Sequence, residues 1–392
     1  MKWAMDKVRL TIERLIWRGR GLSRLPSGKI ALVSPGIFPG EEIEGVVSKD
    51  KKDYVEVTWT CVRRPHPLRE VHPCSLADRC GGCRFGSIPQ SLQVDIKQEL
   101  LASEIRRALG PSFASQAEDN VKFFPSPSAW RYRWRGQVFV YQGHPHVRQF
   151  QSHQLIPLDD CLLLSQTLSE KIREMCRELP EGRQTIAASP ADHQVCSVKV
   201  SQTLRLPIAD YGLFLYLPTN VFFQANWELN QSLIRYVCGQ LNGVERIADL
   251  YAGAGNFALP LACQSEQVLA VESNPQAVAA ADRSAAIADL QNIAFRTWDI
   301  AQSDLVHLLG QFGIQALVID PPRLGIGKAW HSVARWHGLD KIVWISCDIV
   351  NTCRDLKPFI QAGWEIREMA LFDMFPQTWH MEVVFVLEKG RS

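Results

Sequence analysis

Nowhere among the 392 residues do eighteen apolar residues run together, so no membrane-spanning helix is expected. The first twenty-one residues alternate charges and hold no apolar stretch of the kind that directs secretion; a cytoplasmic location is expected. There is no internal repeat and no low-complexity tract, which sets aside solenoids and disordered tethers. Charge of one sign is also missing: 43 Lys+Arg stand against 41 Asp+Glu, a net +2. The eleven cysteines are an odd number in a long chain without a signal, so a disulfide framework is not expected. Metal-binding or catalytic thiols in a reducing compartment fit better. What is present is a 46% hydrophobic composition and enough length for two or three domains.

The balanced total hides an uneven distribution. Residues 1–64 carry thirteen Lys/Arg and eight Asp/Glu, and residues 120–158 carry five Lys/Arg and no acid. That excess points to a polyanionic partner for the N-terminal half, against the plainer reading of a solvated face. Short strands broken by Gly and Pro turns (Ile30–Val33, Ile43–Val47, Tyr54–Val57) predict a small β-barrel over 1–64. Residues 65–217 open on a Pro-rich linker and a cysteine cluster, place a helix over Gln90–Leu109, and continue as mixed α/β. Residues 218–392 form the last segment, in which strands and helices alternate from about 246 onward and predict a parallel sheet. The last two apolar runs, Met369–Phe372 and Val383–Leu387, read as a hairpin at the sheet edge.

Successive strand ends carry the chemistry. The strand Arg246–Leu250 runs into Asp249-Leu250-Tyr251-Ala252-Gly253-Ala254-Gly255, a turn whose glycines let backbone approach a ligand at a helix N-terminus. With Ala258 it satisfies the dinucleotide pattern, which alone would suggest a nicotinamide oxidoreductase. The next strand ends in Glu272, placed for ribose hydroxyls, and the one after leads to Asp299, placed for a base edge. Asp320-Pro321-Pro322-Arg323 ends a further strand where the prolines force the chain out of the ladder; a helix cap is the bland alternative for Asp320. Cys347 ends the strand Lys341–Ile345, in the place of a nucleophile rather than of an inert core thiol. Glu382 precedes the final strand and carries little weight by itself. Cys74-x5-Cys80-x2-Cys83 is a strong metal or cluster signal; Cys161 is the candidate fourth ligand, or an ordinary core thiol. Trp130-Arg131-Tyr132-Arg133-Trp134-Arg135 interleaves rings with guanidiniums, as a strand that stacks bases and holds phosphates would, or as a half-buried strand would.

Taken together these motifs resemble one family: the S-adenosylmethionine-dependent RNA uridine-C5 methyltransferases with an N-terminal TRAM domain and an iron–sulfur cluster, of the kind acting on 23S rRNA. The likeness runs over almost the whole chain. It includes the Pro39-Gly40-Glu41 turn, the four cysteines, Phe222-Phe223-Gln224, the glycine turn, Asp320–Arg323, Ser346-Cys347, Arg354-Asp355-Leu356 and Asp373–Glu382. Where the family often has Asn-Pro after the nucleophile, this chain has Asp348-Ile349. The resemblance implies a fold of three parts: a TRAM/OB-like barrel, a central α/β domain with a 4Fe-4S loop, and a Rossmann-like class I methyltransferase domain. It implies that Cys347 adds to uracil C6, that Glu382 removes the C5 proton, and that Asp320 binds the base. Gln224, Asp249, Tyr251, Gly253, Gly255, Glu272, Asp299 and Asp320 would hold the cofactor, and Cys74, Cys80, Cys83 and Cys161 the cluster. Trp130, Arg131, Arg133 and Phe222 would contact RNA, rRNA foremost, with the protein a monomer. The rivals are a tRNA uridine-C5 methyltransferase and a non-catalytic RNA-binding protein that has kept the cofactor fold.

Overall fold

The computed structural model describes residues 7–197, 203–300, 304–326 and 330–390. The chain forms two compact units: Met1–Glu118 with Phe375–His380, and Asp119–Met374 with Met381–Ser392. These cut across the three segments expected from composition.

In the first unit, β1 (Lys7–Thr11), β2 (Arg14–Ile16), β3 (Arg20–Arg24), β4 (Ile30–Val33), β5 (Glu42–Asp50) and β6 (Tyr54–Arg64) form one sheet in the order β1-β5-β6-β4-β3-β2. Alternation drives it: Ala31, Val33, Val55 and Val57 are buried at every second position. Only Ile12 and Glu13 separate the two outermost strands in sequence. The Pro39-Gly40-Glu41 turn has a structural purpose. Gly40 takes φ +82, and Glu41 is fully buried. Its carboxylate accepts from the Arg69 guanidinium at 2.5 and 2.8 Å and from the Phe38 amide at 2.9 Å, so the buried charge is paired. Helix α1 (Gln90–Leu109) spans the predicted range and buries Ile96, Leu100, Leu101 and Ile105 at helical spacing. α2 (Pro111–Asn120) follows it.

The second unit holds a short strand β7 (Lys122–Phe124) and a five-stranded antiparallel sheet. That sheet comprises β8 (Arg135–Tyr141), β9 (His144–Arg148), β10 (Leu155–Pro157), β11 (Gly182–Ala188) and β12 (Val195–Ser197). A hairpin of β13 (Thr203–Ile208) and β14 (Leu213–Pro218) comes next. The main sheet adds β15 (Arg246–Leu250), β16 (Gln267–Glu272), β17 (Ile293–Thr297), β18 (Ala316–Ile319), β19 (Lys341–Ser346), β20 (Trp364–Phe372) and β21 (Glu382–Lys389). Its order is β17-β16-β15-β18-β19-β21-β20-β7, with the first five strands parallel. The order reverses between β15 and β18, the place where open α/β sheets bind ligands at the carboxyl ends of their strands. Helices α3 (Gln166–Glu178), α4 (Trp227–Gln240), α5 (Ala258–Ala262), α6 (Pro275–Ile287), α7 (Leu305–Gln311), α8 (Trp330–Arg335) and α9 (Ile349–Gln361) complete the unit.

The expected hairpin exists, but not at the edge. β21 inserts between β19 and β20, and β7, from 240 residues earlier in the chain, pairs parallel with β20 outside it. Ala370, Leu371 and Phe372 are fully buried, so their outer ladder groups need a partner. β7 supplies it, with Phe124 stacked on Phe372 at 4.3 Å. No helix among the described residues is long and apolar enough to cross a membrane.

Candidate active site

The carboxyl ends of β15, β16, β18, β19 and the start of β21 converge on one acidic edge. Asp249 sits in β15, fully buried. Among the described residues its carboxylate oxygens have no partner in good hydrogen-bond geometry, and the Ala258 amide lies near them. Burial, and then the Asp320 charge, push its pKa well up. The turn that follows uses left-handed backbone at Tyr251 (φ +66), Gly253 (φ +55) and Gly255 (φ +88). Beyond Gly253 a side chain would meet open space, whereas at Gly255 it would strike Leu259. Glycine therefore opens the loop at the first position and lets α5 pack at the second. Glu272 braces the loop from the next strand, accepting from the Gly253 amide at 3.1 Å and the Asn274 amide at 2.8 Å. Asn230 of α4 and Asn256 exchange hydrogen bonds at 2.8 and 3.2 Å, tying the loop from the other side. Gln224 is buried just ahead of α4. The Tyr251 phenol is raised by burial first and then by the charges of Asp299, Asp355 and Glu272, which places Asp299 near the turn. An open cradle lined by buried, unsatisfied carboxylate oxygen fits a ligand with donor groups and positive charge.

Register builds the second half of the site. In the antiparallel β19–β21 pair, Ser346 lies opposite Val383. The next residues along each strand are Cys347 and Glu382, close enough for the Glu382 charge to act on the thiol. Asp320 ends β18, the parallel neighbour of β19. Glu382 is buried, and its Oε2 has no hydrogen-bond partner. Burial, and then the Asp320 charge, raise its pKa well above the usual carboxylate range. Asp320 is itself raised to about 7 by burial. The Cys347 thiol is pushed up to about 12, by burial first and then by Glu382 and Asp320. A polar, partly exposed setting favouring thiolate was expected; half-burial is found, and burial together with the neighbouring acids holds the thiol neutral. Arg323, next to the prolines, opposes them and lowers both Cys347 and Glu382. Its role was not singled out from sequence, although the strand-end tetrapeptide already contained it. Asp348 caps α9 by accepting from the Asn351 amide at 3.1 Å, which accounts locally for Asp348-Ile349 after the nucleophile position.

Profile comparison decides the family: the sequence model described as tRNA (Uracil-5-)-methyltransferase matches residues 161–390. The chain belongs to that family. Its members are S-adenosylmethionine-dependent RNA uracil-C5 methyltransferases, and this chain is such an enzyme. It is 28% identical to the 23S rRNA (uracil(1939)-C(5))-methyltransferase RlmD of Pseudomonas putida, over 98% of this chain and 94% of that protein. To RlmD of Shewanella amazonensis it is 27% identical, over 98% and 96%. A crystal structure of Pyrococcus abyssi tRNA (uracil-54, C5)-methyltransferase in complex with S-adenosyl-L-homocysteine shares the fold, with TM-score 0.75 and 22% identity over 96% of this chain and 99% of that one.

The uracil-5-methyltransferase fold sets the expected RNA strand differently. Trp130–Trp134 is not a ladder strand; β8 begins only at Arg135. Tyr132 is buried. Arg131 takes φ +60, and its guanidinium grips the Asp160 carboxylate at 2.7 and 2.5 Å. Arg133 fixes backbone, its amide donating to Leu163 and its carbonyl accepting from Ser165. Arg135 lies over the rings of Phe222 and Phe223. Rings and guanidiniums therefore do not sort onto two faces: a bidentate carboxylate outcompetes solvent for Arg131. Phe222 remains presented, 64% exposed.

The cysteine loop lies in the first unit. Cys74, Cys80 and Cys83 are half-buried and outside any disulfide. His72 clips the loop: the Cys74 amide donates to its Nδ1 at 3.0 Å, leaving Nε2–H for the Cys83 carbonyl at 2.9 Å. Thiol chemistry there suits a soft metal or cluster. Yet no three His, Cys, Asp or Glu side chains among the described residues are gathered as a metal site. Cys161, the fourth ligand implied by resemblance, belongs to the second unit.

Proposed function

We propose that this enzyme methylates C5 of a specific uridine in 23S rRNA, acting as a cytoplasmic monomer. Support for the rRNA target comes from the two RlmD relatives, aligned nearly end to end. The observation that supports the residue roles is that Cys347, just past the β19 end where Ser346 pairs with Val383 of β21, feels the charges of both Glu382 and Asp320.

Bound S-adenosylmethionine supplies an electrophilic methyl group on a sulfonium. Uracil C5 is too weak a nucleophile to take it unaided. Cys347 adds as thiolate to C6, which makes C5 an enolate carbon; after transfer Glu382 removes the C5 proton, and elimination releases the thiolate. Asp320 hydrogen-bonds the uracil during the charge shift. A thiol surrounded by acids stays protonated and unreactive until a positive charge occupies the edge; Asp249, Glu272, Asp299 and Asp320 favour such a ligand. Gln224 and the Tyr251–Gly255 turn complete the cofactor contacts. The target base has to leave its stack to reach these groups.

On the RNA side, we assign the first-unit sheet, whose outermost strands adjoin in sequence, to a TRAM-like barrel. Phe222 is the best-placed aromatic among the candidate contacts, with Trp130, Arg131 and Arg133 supporting. Cys74, Cys80 and Cys83, with Cys161 by resemblance, are proposed as iron–sulfur ligands with a structural part, since methyl transfer moves no electrons. The test uses labelled S-adenosylmethionine and 23S rRNA. Wild type transfers label and Cys347→Ala does not; full turnover by Cys347→Ala ends this mechanism. Mapping 5-methyluridine in RNA from cells with and without the protein identifies the site.

A further inference from the structure

Leu324 is 85% exposed, the most exposed large apolar side chain of the second unit. It follows Arg323, whose charge reaches both Cys347 and Glu382. Its backbone is nevertheless fixed. Residues Pro322 to Gly325 form a turn closed by the Gly325 amide on the Pro322 carbonyl at 2.8 Å. Three residues of α9 brace that turn. Asn351 Nδ2 donates to the Arg323 carbonyl at 2.7 Å, and Arg354 Nη2 to the Leu324 carbonyl at 2.9 Å. Asp355 Oδ2 accepts from the Ile326 amide at 2.9 Å while its other oxygen holds Arg354 Nε at 2.7 Å. Gly325 takes φ +84, and a Cβ there would lie 2.0 Å from Asp355 Oδ2, so the brace requires glycine. α9 is the helix that begins just after Cys347. The exposed isobutyl group is therefore held on the same scaffold as the nucleophile.

A solvent-facing leucine on a rigid, multiply hydrogen-bonded tip gains nothing for the fold. Isolated exposed apolar residues are ordinary, but this one combines a fixed position, a cation beside it and a brace from the helix that follows the reacting thiol. Apolar side chains of this kind enter base steps and hold them unstacked. We propose that Leu324 is a wedge. It occupies the gap left in the RNA stack when the target uridine swings out, while the exposed Arg323 guanidinium meets a neighbouring phosphate. The inference rests on the RNA methyltransferase reading and adds a specific RNA contact to it.

The test compares two substrates that wild type methylates: a folded 23S rRNA fragment, and a short single strand carrying the same uridine, with nothing to unstack. Leu324→Ala should lower kcat/KM at least tenfold on the folded RNA and less than threefold on the single strand, and Leu324→Met should restore most of the difference. A 2-aminopurine beside the uridine should brighten on binding wild type and stay quenched with Leu324→Ala. Stabilisation by S-adenosylhomocysteine should be unchanged, which separates the effect from misfolding. Equal losses on both RNAs, or none on either, overturn the wedge. Wild type inactive on both would overturn the activity itself, and the wedge with it.

Discussion

Two clusters of cysteine chemistry sit in this chain, and they are assembled differently. At the Cys347 edge the β19–β21 register, with Ser346 opposite Val383, leads Cys347 towards Glu382, and the β18–β19 pairing brings Asp320 alongside. The Cys74–Cys83 loop has its thiols in one short, His72-clipped segment, but they are not drawn into a metal site. The difference teaches where each site's free energy comes from. Parallel strands buried on both faces fix a catalytic edge through the hydrophobic core. A loop of thiols has no such framework, and under the proposed cluster assignment its geometry would come from the bound metal.

The largest effect belongs to the register-built edge. Cys347→Ala should lower methyl transfer by roughly 10⁴-fold or more, while S-adenosylhomocysteine still raises the melting temperature. Glu382→Gln should cost about 10²–10⁴-fold, and should leave a protein–RNA adduct that survives denaturing electrophoresis; a variant turning over with no adduct would refute the base assignment. The loop predicts the opposite signature. Cys80→Ser should abolish visible absorption of the anaerobically purified protein and lower thermal stability, with S-adenosylhomocysteine binding retained. Colourless wild-type protein that contains zinc would replace the cluster with a zinc site.

Proton linkage sharpens the comparison further. An acid whose pKa rises on folding keeps its proton in the folded chain after the unfolded chain has lost it. Asp320, raised to about 7, thus favours the fold at low pH. That contribution fades as pH climbs from about 4 towards 7, once the unfolded carboxylate ionises. Asp320→Asn should remove this slope and add about 1–3 kcal/mol at neutral pH, read by urea denaturation at pH 5 and pH 7.5; a slope unchanged by the substitution would place Asp320 in water. The Cys347 thiol, at about 12, should alkylate slowly with iodoacetamide at pH 7 in the ligand-free enzyme. Rapid labelling at that position, read by peptide mass, would mean a thiolate already formed. The smallest effect is local: Asp348→Ala removes the α9 cap and should cost about 1 kcal/mol, checked by thermal melting.

Much of this was legible along the chain. The ranges of β15, β17 and α1 follow from apolar spacing, because a helix or strand must repeat its buried face at a fixed period. The glycine turn, Asp320 and Cys347 were readable as strand ends. Glu382 was not convincing by itself, since its meaning lies in a partner 35 residues earlier in the chain. The Trp130–Arg135 pattern misled for a related reason: its alternation suited a strand, but Asp160 captured Arg131 and the Phe222–Phe223 rings captured Arg135.

The sequence alone determined which groups are available: the Cys347 thiol, the carboxylates, the glycine turn, the thiol triplet, and the strands that carry most of them. Tertiary structure decided which of these meet. β21 enters between β19 and β20, β7 closes the edge from far upstream, and α9, the helix that follows Cys347, braces the Leu324 turn. Local spacing encodes the periodicity of a single element, whereas pairing, register and burial are set by the competition of all elements for one core. The pKa of Cys347 and the exposure of Leu324 exist only after that competition is settled.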